Sequence, residues 1–276
     1  MNHATNDAPI LKADVKAFWE AGACGEVYLR GEDARARFEA QAKERYALEP
    51  YIAPFARFAE GRGKDILEVG VGLGADHTEW ARHEPRSLTG VDLTERAIEL
   101  TRERLAVFGL RSVLRTADAE NLPFADDSFD IVYSYGVLHH TPNTARAIEE
   151  VRRVLRPNGV ARVMIYHSRS LIGYMLWCRY ALLALRPRRT LADIYATHLE
   201  SPGTKAYTVG EAEKLFAGFS TVTPRVQLSH GDLLEGGVGQ RHAGLALSLA
   251  RAVWPRRLIT RTLPNHGLAL LIEARK

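Results

Sequence analysis

Residues 65–79 read DILEVGVGLGADHTE, and this stretch decides the fold. Its first residues are mostly apolar, which is typical of a buried parallel strand. Gly70, Gly72 and Gly74 follow at alternate positions before helix-forming residues resume. Glycine allows a sharp turn and a close ligand approach, while the next helix offers free N–H groups and a positive dipole end. The stretch therefore predicts a strand, a tight turn and a helix.

Three interpretations fit this glycine turn. Gly70, Gly72 and Ala75 match the G-x-G-x-x-A form of the dinucleotide fingerprint. Glu68 with the three glycines instead resembles the first motif of class I S-adenosylmethionine (SAM) dependent methyltransferases. A turn without any nucleotide role is the third interpretation, because any strand-to-helix turn can use glycine.

A second acidic position follows the glycine turn. Residues 88–94 (LTGVDLT) predict a strand that ends at Asp92, where a carboxylate can accept hydrogen bonds from both ribose hydroxyls. The alternative role is a helix N-cap, although Thr94 lies closer to the helix start and suits that role. We expect Asp92 and the adjacent Leu93 to contact the cofactor.

A third segment favours one cofactor. Residues 117–134 (ADAENLPFADDSFDIVYS) closely resemble the D-A-x-x-L-P-F-x-D-x-S-F-D-x-V pattern of small-molecule methyltransferases of ubiquinone and menaquinone biosynthesis. Dehydrogenases do not carry this pattern. The resemblance continues through residues 136–140 (GVLHH) and 154–159 (VLRPNG), where Asn158 replaces a more usual glycine. It covers residues 64–167 well and the flanks loosely.

The resemblance implies SAM as the cofactor and assigns its contacts. The methionine part would lie at Glu68 and the glycine turn, the ribose at Asp92, and the adenine at Asp118 with Ala119. The loop that starts at Tyr135 would lie beside the cofactor and the substrate.

Composition and charge narrow the function classes. The chain has 276 residues, 46% hydrophobic and 25% charged, as soluble globular proteins do, and its length can bury a core without disulfides. Cys24 and Cys178 show no metal-ligand spacing and favour a reducing compartment. We see no signal peptide and no apolar run of the roughly 18 residues that span a membrane, so we expect a cytoplasmic protein.

The net charge of +4 is too small to indicate a nucleic-acid partner. Arginines cluster in residues 186–189 and 251–261. Solvated surface is the favoured interpretation, and an anionic partner or membrane headgroup is the alternative.

Strand and helix patterns alternate from residue 64 onward. They predict an α/β fold with a doubly wound, mostly parallel sheet, which the resemblance sets at seven strands. We expect one domain over residues 1–276, with a helical extension (1–60), a SAM-binding core (64–168), and cap segments with final antiparallel strands (169–276).

Two cap segments stand out in the C-terminal part. Residues 171–185 are nearly all apolar apart from Arg179, which predicts a cap helix over the site or, less favoured, an interfacial helix. Residues 230–266 form an insertion with an amphipathic helix at 243–254, and insertions of this length are usually lids or interaction elements.

Candidate catalytic residues lie on the loop after the fourth strand. His139 and His140 are candidates because histidine as a residue type suits proton transfer near working pH, and Tyr135 and, more weakly, Tyr166 are further polar candidates. A base is needed only if the accepting atom must lose a proton, and either histidine could instead pack or cap a helix. We expect no metal site, because His198 and His230 fit no ligand spacing.

These observations predict a SAM-dependent methyltransferase that modifies O, N, S or C of a small molecule in secondary or cofactor metabolism. A lipophilic, membrane-associated substrate is the first alternative. An NAD-dependent oxidoreductase is less favoured because of the LPF…SFD pattern in residues 122–130. An RNA or protein methyltransferase is less favoured because residues 134–137 (SYGV) replace an Asn/Asp-Pro-Pro-Tyr loop, and a noncatalytic SAM-fold partner protein because the cofactor motifs are intact.

Overall fold

One twisted sheet organises the chain in the computed structural model, which describes residues 12–235 and 251–276. Across these residues the sheet has seven strands in the order β3-β2-β1-β4-β5-β7-β6. The strands are β1 (Asp65–Val69), β2 (Ser87–Asp92), β3 (Val113–Thr116), β4 (Phe129–Tyr135), β5 (Leu155–Tyr166), β6 (Thr221–Gln227) and β7 (Ala269–Arg275). The first five pair in parallel, and β7 runs antiparallel between β5 and β6. The expected fold class is confirmed.

Helices cover both faces of this sheet. They are α1 (Lys12–Ala21), α2 (Ala34–Leu48), α3 (Ile52–Ala56), α4 (Ala75–Arg82), α5 (Glu95–Val107), α6 (Thr144–Val154), α7 (Leu171–Trp177), α8 (Leu191–Ile194), α9 (Val209–Leu215) and α10 (Arg256–Thr262). Polar side chains start several of them: the Thr94 hydroxyl accepts from the Ala97 N–H and Ser170 accepts from the Gly173 N–H. Thr94 is thus the N-cap of α5, as its position predicted.

Alternate residues of each strand supply two separate cores. On β1, Leu67 and Val69 pack into the core that contains α6 and α9, whereas Ile66 packs into the core on the opposite face with α3 and Trp80. This two-residue period is the expected geometry of a strand covered on both faces. The carboxyl ends of the parallel strands are left open to a ligand.

The flanking segments follow their predictions only in part. The N-terminal segment forms α1 and α2, joined by a loop that contains Gly22, Gly25 and Gly31. The apolar run from residue 171 is a single α-helix only to Trp177, after which Cys178–Leu182 winds into a π-helical turn. The helix predicted at 243–254 lies mostly outside the described residues. Among the described residues, no helix is long and apolar enough to cross a membrane.

A buried carboxylate attaches α7 to the sheet. Asp232 has no exposed surface, and its Oδ1 accepts a hydrogen bond from the Ile172 N–H at 3.1 Å. Its Oδ2 accepts from the Ser229 N–H at 2.9 Å, the Ser229 hydroxyl at 2.7 Å and the Leu268 N–H at 2.8 Å. One side chain therefore joins the start of α7, the loop after β6 and the start of β7.

Asp232→Asn tests this attachment. We expect the free energy of unfolding in urea to fall by about 2–4 kcal/mol, because an amide NH2 would face backbone donors and leave them unpaired. Glu84→Gln, which removes an ion pair to Arg62 between side chains that are about 70% exposed, should change it by less than about 1 kcal/mol. Equal effects of the two substitutions would contradict the role of Asp232.

Candidate functional site

A cavity of about 330 Å³ opens at the carboxyl ends of the parallel strands. It brings together nine residues expected to bind cofactor or substrate: Glu68, Gly70, Gly72, Asp92, Leu93, Asp118, Ala119, Tyr135 and His140. Gly74 and His139 do not line it. Side chains of α1, α2 and α7 complete the wall, including Trp19, Arg45 and Leu176.

The glycines of the turn have different reasons to be glycine. All three have positive φ, at 85°, 52° and 73° for Gly70, Gly72 and Gly74. A Cβ on Gly70 would lie 2.1 Å from Val137 Cγ2, and a Cβ on Gly74 would lie 2.9 Å from the side chain of Thr101. A Cβ on Gly72 would meet no described atom within 4 Å, because this residue faces the cavity. The backbone of Gly72 is therefore open to the cavity, whereas Gly74 packs against Thr101 of α5.

Glu68 forms the floor of the cavity and pairs with a buried histidine. Its Oε2 lies 2.9 Å from His77 Nδ1, and His77 Nε2 lies 2.7 Å from the Ser112 hydroxyl. That hydroxyl donates to the Leu88 carbonyl at 2.9 Å, so it accepts from Nε2–H, and in a neutral imidazole Nδ1 is left as an acceptor. The hydrogen bond between Glu68 and His77 then requires a protonated Glu68.

The environment supports the neutral state of both partners. Burial, with the charges of Asp76 and Asp92 as further causes, raises the pKa of Glu68 well above its usual value. Burial lowers the pKa of His77 to about 3. The floor of the site is therefore a neutral acid hydrogen-bonded to a neutral imidazole.

Asp76 is a site residue that the sequence analysis missed. It accepts from Arg45 Nε and Nη2 at 3.0 and 2.7 Å, from the Tyr46 hydroxyl at 3.0 Å and from the Tyr133 hydroxyl at 2.9 Å. Burial opposes ionisation, but the charge and hydrogen bonds of Arg45 outweigh it, and the pKa of Asp76 is lowered. An acidic residue in the first turn after the glycine turn was the available signal.

Asp92 is held in place and still has capacity to bind. Its Oδ2 accepts from the Gly72 N–H at 3.1 Å, and its Oδ1 accepts from the Thr94 N–H and hydroxyl at 3.0 and 2.8 Å. Burial raises the pKa of its carboxyl despite these hydrogen bonds. Because each carboxylate oxygen has two lone pairs, Oδ2 keeps one acceptor position.

Asp118 already has a partner on α1. Lys12 Nζ forms an ion pair with Asp118 and lies 2.8 Å from Glu120 Oε2. The other carboxylate oxygen of Asp118 accepts from the Glu120 N–H at 2.9 Å. The loop after β3 is thereby tied to the helix that covers the cavity.

The two adjacent histidines have different environments. His139 is fully buried, its ring lies 4.0 Å from the Tyr166 ring, and neither ring nitrogen has a hydrogen-bond partner among the described residues. Burial lowers its pKa well below the usual value, so it packs as a neutral ring. His140 lines the cavity, and its Nδ1 lies 2.8 Å from the Ser201 hydroxyl and 3.1 Å from the Thr204 hydroxyl.

Glu200 joins His140 at the cavity wall. Its Oε2 lies 3.3 Å from His140 Nε2 and accepts from the Tyr166 hydroxyl at 2.7 Å. Tyr135 also lines the cavity, and its hydroxyl donates to Glu49 Oε1 at 3.1 Å. The sequence analysis assigned no catalytic role to Glu200, because its approach to His140 depends on the fold. No cluster of three metal-binding side chains occurs within residues 12–235 and 251–276.

Comparison with known proteins identifies the central segment. Residues 67–163 match the methyltransferase domain family. A phthiotriol/phenolphthiotriol dimycocerosates methyltransferase of Mycobacterium tuberculosis is 46% identical over 99 residues, which are 35% of this chain and 36% of that protein. A fatty-acid O-methyltransferase of Mycolicibacterium smegmatis is 38% identical over 122 residues, 44% of this chain and 43% of that protein. The chain thus matches less than half the length of these relatives.

The solved structures agree on the fold. A SAM-dependent methyltransferase from Thermotoga maritima superposes with a TM-score of 0.52 at 17% identity, covering 87% of this chain and 97% of that chain. Residues 67–163 therefore match a methyltransferase domain, within a chain that shares the fold of this SAM-dependent methyltransferase.

Glu68→Gln tests the neutral floor through the pH dependence of stability. Above about pH 4.3 the unfolded chain has lost the Glu68 proton that the folded chain keeps, so this group lowers the free energy of unfolding by up to about 1.4 kcal/mol per pH unit. The loss continues until the pH reaches the folded pKa. Glutamine still donates to His77 but does not titrate, so the stability of the variant relative to the native protein should grow with pH.

The measurement is urea unfolding of both proteins at a series of pH values. The His77 titration is present in both proteins and cancels in the difference. Glu213→Gln, on an exposed position of α9, is the control and should follow the native curve. A constant difference between Glu68→Gln and the native protein across this range would show that Glu68 is ionised in the folded chain.

Proposed function

We propose that this protein transfers a methyl group from SAM to a small-molecule nucleophile held in the cavity described above. The observation that carries the proposal is the convergence of Glu68, Gly72, Asp92 and Asp118 on one enclosed space, within the segment that matches a methyltransferase domain. The free cysteines Cys24 and Cys178 are consistent with the cytoplasmic location that we infer.

The residues present fit the cofactor. Gly72 leaves room for a ligand against the backbone, and Asp92 Oδ2 keeps an acceptor position for a ribose hydroxyl. Acidic groups at the cavity floor suit a cationic ligand, and Glu68 can ionise when a positive charge comes close. Asp118 and Ala119 would hold the adenine, and the ligand would compete with Lys12 for the Asp118 carboxylate.

The chain's own residues would position the reactants and exclude water. When bound, SAM supplies a methyl group on a positively charged sulfur. Val15 and Trp19 of α1 and Leu176 of α7 line the side of the cavity away from the sheet, and these apolar side chains shield the space between the two reactants from solvent. Holding two reactants in line can supply several kcal/mol of barrier reduction.

The part of the cavity wall at His140 and Glu200 offers a proton acceptor. The Thr204 hydroxyl donates to the Ser201 carbonyl at 2.7 Å, which leaves the Ser201 hydroxyl to donate to His140 Nδ1. His140 Nε2 then carries a proton and faces Glu200 Oε2. Nε2 makes no hydrogen bond to another described residue, but with Nδ1 accepting from Ser201 and Nε2 already protonated, neither nitrogen of the neutral ring can take a further proton from the substrate. We therefore assign Glu200 as the base that takes a proton from a hydroxyl substrate, with His140 and Tyr166 as positioning residues.

Glu200→Gln tests this assignment. We expect kcat for methyl transfer to a hydroxyl substrate to fall about 10²–10⁴-fold, because an amide cannot accept the proton. The acidic limb of the pH profile of kcat should disappear, whereas the affinity for S-adenosylhomocysteine, measured by calorimetry, should not change. Glu213→Gln is the control; an unchanged kcat in Glu200→Gln would remove Glu200 from the chemistry.

Asp92→Ala tests cofactor binding. We expect the affinity for S-adenosylhomocysteine in calorimetry to fall at least about tenfold, because a charged hydrogen bond of about 1.5–3 kcal/mol is lost. Asp126→Ala, in the exposed turn before β4, is the matched control. Thermal unfolding of both variants checks that the fold is retained, and native-like affinity in a folded Asp92→Ala would contradict the assignment.

Transfer of labelled methyl from SAM into an extract of the source cells tests the function as a whole. Label in an organic-soluble or aqueous small-molecule fraction is the expected result. Label only in acid-precipitable material would indicate an RNA or protein substrate. A thermal shift with NADH and none with S-adenosylhomocysteine would instead favour an oxidoreductase.

A further inference from the structure

The end of the apolar segment after α7 does not pack against the protein. Leu182, Leu183 and Leu185 are 50%, 77% and 89% exposed. Earlier residues of the same segment are buried, including Leu176 and Ala181, which pack with Ile194. The segment therefore changes from a packed helix to a tip of exposed leucines, here called the leucine tip (residues 182–188).

The leucine tip is held in its shape by hydrogen bonds. The Leu185 N–H donates to the Leu182 carbonyl at 3.0 Å, and the Arg186 N–H donates to the Ala181 carbonyl at 2.7 Å. Leu185 has a φ of 57°, in the left-handed region where a helix-ending glycine is usual. The Trp177 indole N–H fixes the end of the segment by donating to the Arg189 carbonyl at 2.7 Å.

This geometry is unfavourable for a leucine in water alone. The left-handed backbone is strained for any residue with a Cβ, and a large apolar side chain that is 89% exposed gains nothing from burial. Glycine at position 185 would avoid both costs. Strain that is retained at one position points to a function for the side chain that the strained backbone presents.

The charge beside the leucines is of one sign. Residues 171–192 contain four arginines and no aspartate or glutamate. Arg186 and Arg188 are exposed, and neither forms an ion pair with another described residue. Apolar side chains next to free arginines match the two zones of an anionic membrane surface, where acyl chains lie beneath negative headgroups.

The leucine tip is also connected to the cavity. Ile172 and Leu176 of α7 line the cavity, and the same helix leads through the π-helical turn into the leucine tip. The segment that carries the leucine tip therefore also forms one wall of the cavity, so a leucine tip in contact with a bilayer would bring an apolar compound of that bilayer to the same segment.

We propose that the leucine tip docks on the surface of an anionic lipid bilayer, with the leucines in the acyl region and Arg186 and Arg188 at the headgroups. Docking brings the cavity wall to the membrane, so the substrate class is an apolar, bilayer-dissolved compound. The docking stands on the tip alone, whereas the substrate class rests on the function proposed above.

Co-sedimentation with phosphatidylcholine vesicles, with and without phosphatidylglycerol, tests the docking. We expect binding that requires phosphatidylglycerol and weakens with salt. The pair Leu183→Ser and Leu185→Ser should lower the partition coefficient at least about tenfold. Arg186→Gln with Arg188→Gln should lower it about fivefold for each charge removed. Val113→Ser, an exposed residue of the edge strand β3, is the control.

Leu185→Gly separates docking from folding. We expect this variant to unfold at a higher temperature than the native protein, because the strain is removed, and to bind vesicles more weakly. S-adenosylhomocysteine affinity, measured on every variant, should stay native, so a failure of docking is distinguishable from a failure of the cofactor site. Equal binding of the native protein and the leucine variants, or loss of vesicle binding together with concentration-dependent dimerisation, would overturn the proposal.

Discussion

A buried carboxylate with four hydrogen-bond donors is the constraint on which the site depends. Asp76 lies on α4 directly after the glycine turn, and its donors come from Arg45 and Tyr46 on α2 and from Tyr133 on β4. Removing a partner from a buried ion pair leaves an uncompensated charge that costs about 3–5 kcal/mol. The helical extension, the glycine turn and the central strand must therefore assemble together, and α2 takes its place as a cavity wall as a consequence.

The negative charge of Asp76 also affects the protonation of Glu68 at the floor of the cavity. Burial is the main reason why the pKa of the neighbouring Glu68 is raised, and repulsion from the Asp76 charge adds to it, so Glu68 keeps its proton and binds His77. The only cation that lies against Asp76 in the described part of the chain, Arg45, is used to hold Asp76. A positively charged ligand would meet an acid that is ready to ionise, whereas a neutral ligand would not change its state.

Local spacing accounts for what the sequence could predict. The glycine turn, Asp92 and the alternation of strands and helices depend on neighbours within about 20 residues, and these predictions agree with the fold. The roles of Asp76 and Glu200 depend on contacts between residues that are distant in the sequence. Tyr133 is 57 positions from Asp76, and Tyr166 is 34 positions from Glu200. His139 and His140 look alike in sequence, yet the 3-10 turn Leu138–His140 directs one ring into the core and the other to the cavity.

The ion pair between Lys12 and Asp118 gives α1 a thermodynamic link to whatever binds at the loop after β3. Any ligand that recruits the Asp118 carboxylate competes with Lys12, and the same lysine also holds Glu120. Occupancy of that carboxylate and attachment of the covering helix are thus negatively coupled, and linkage makes the coupling equal in both directions. Helix α1 is therefore held most firmly when no ligand binds Asp118, and ligand binding and release of α1 from the loop after β3 belong to the same equilibrium.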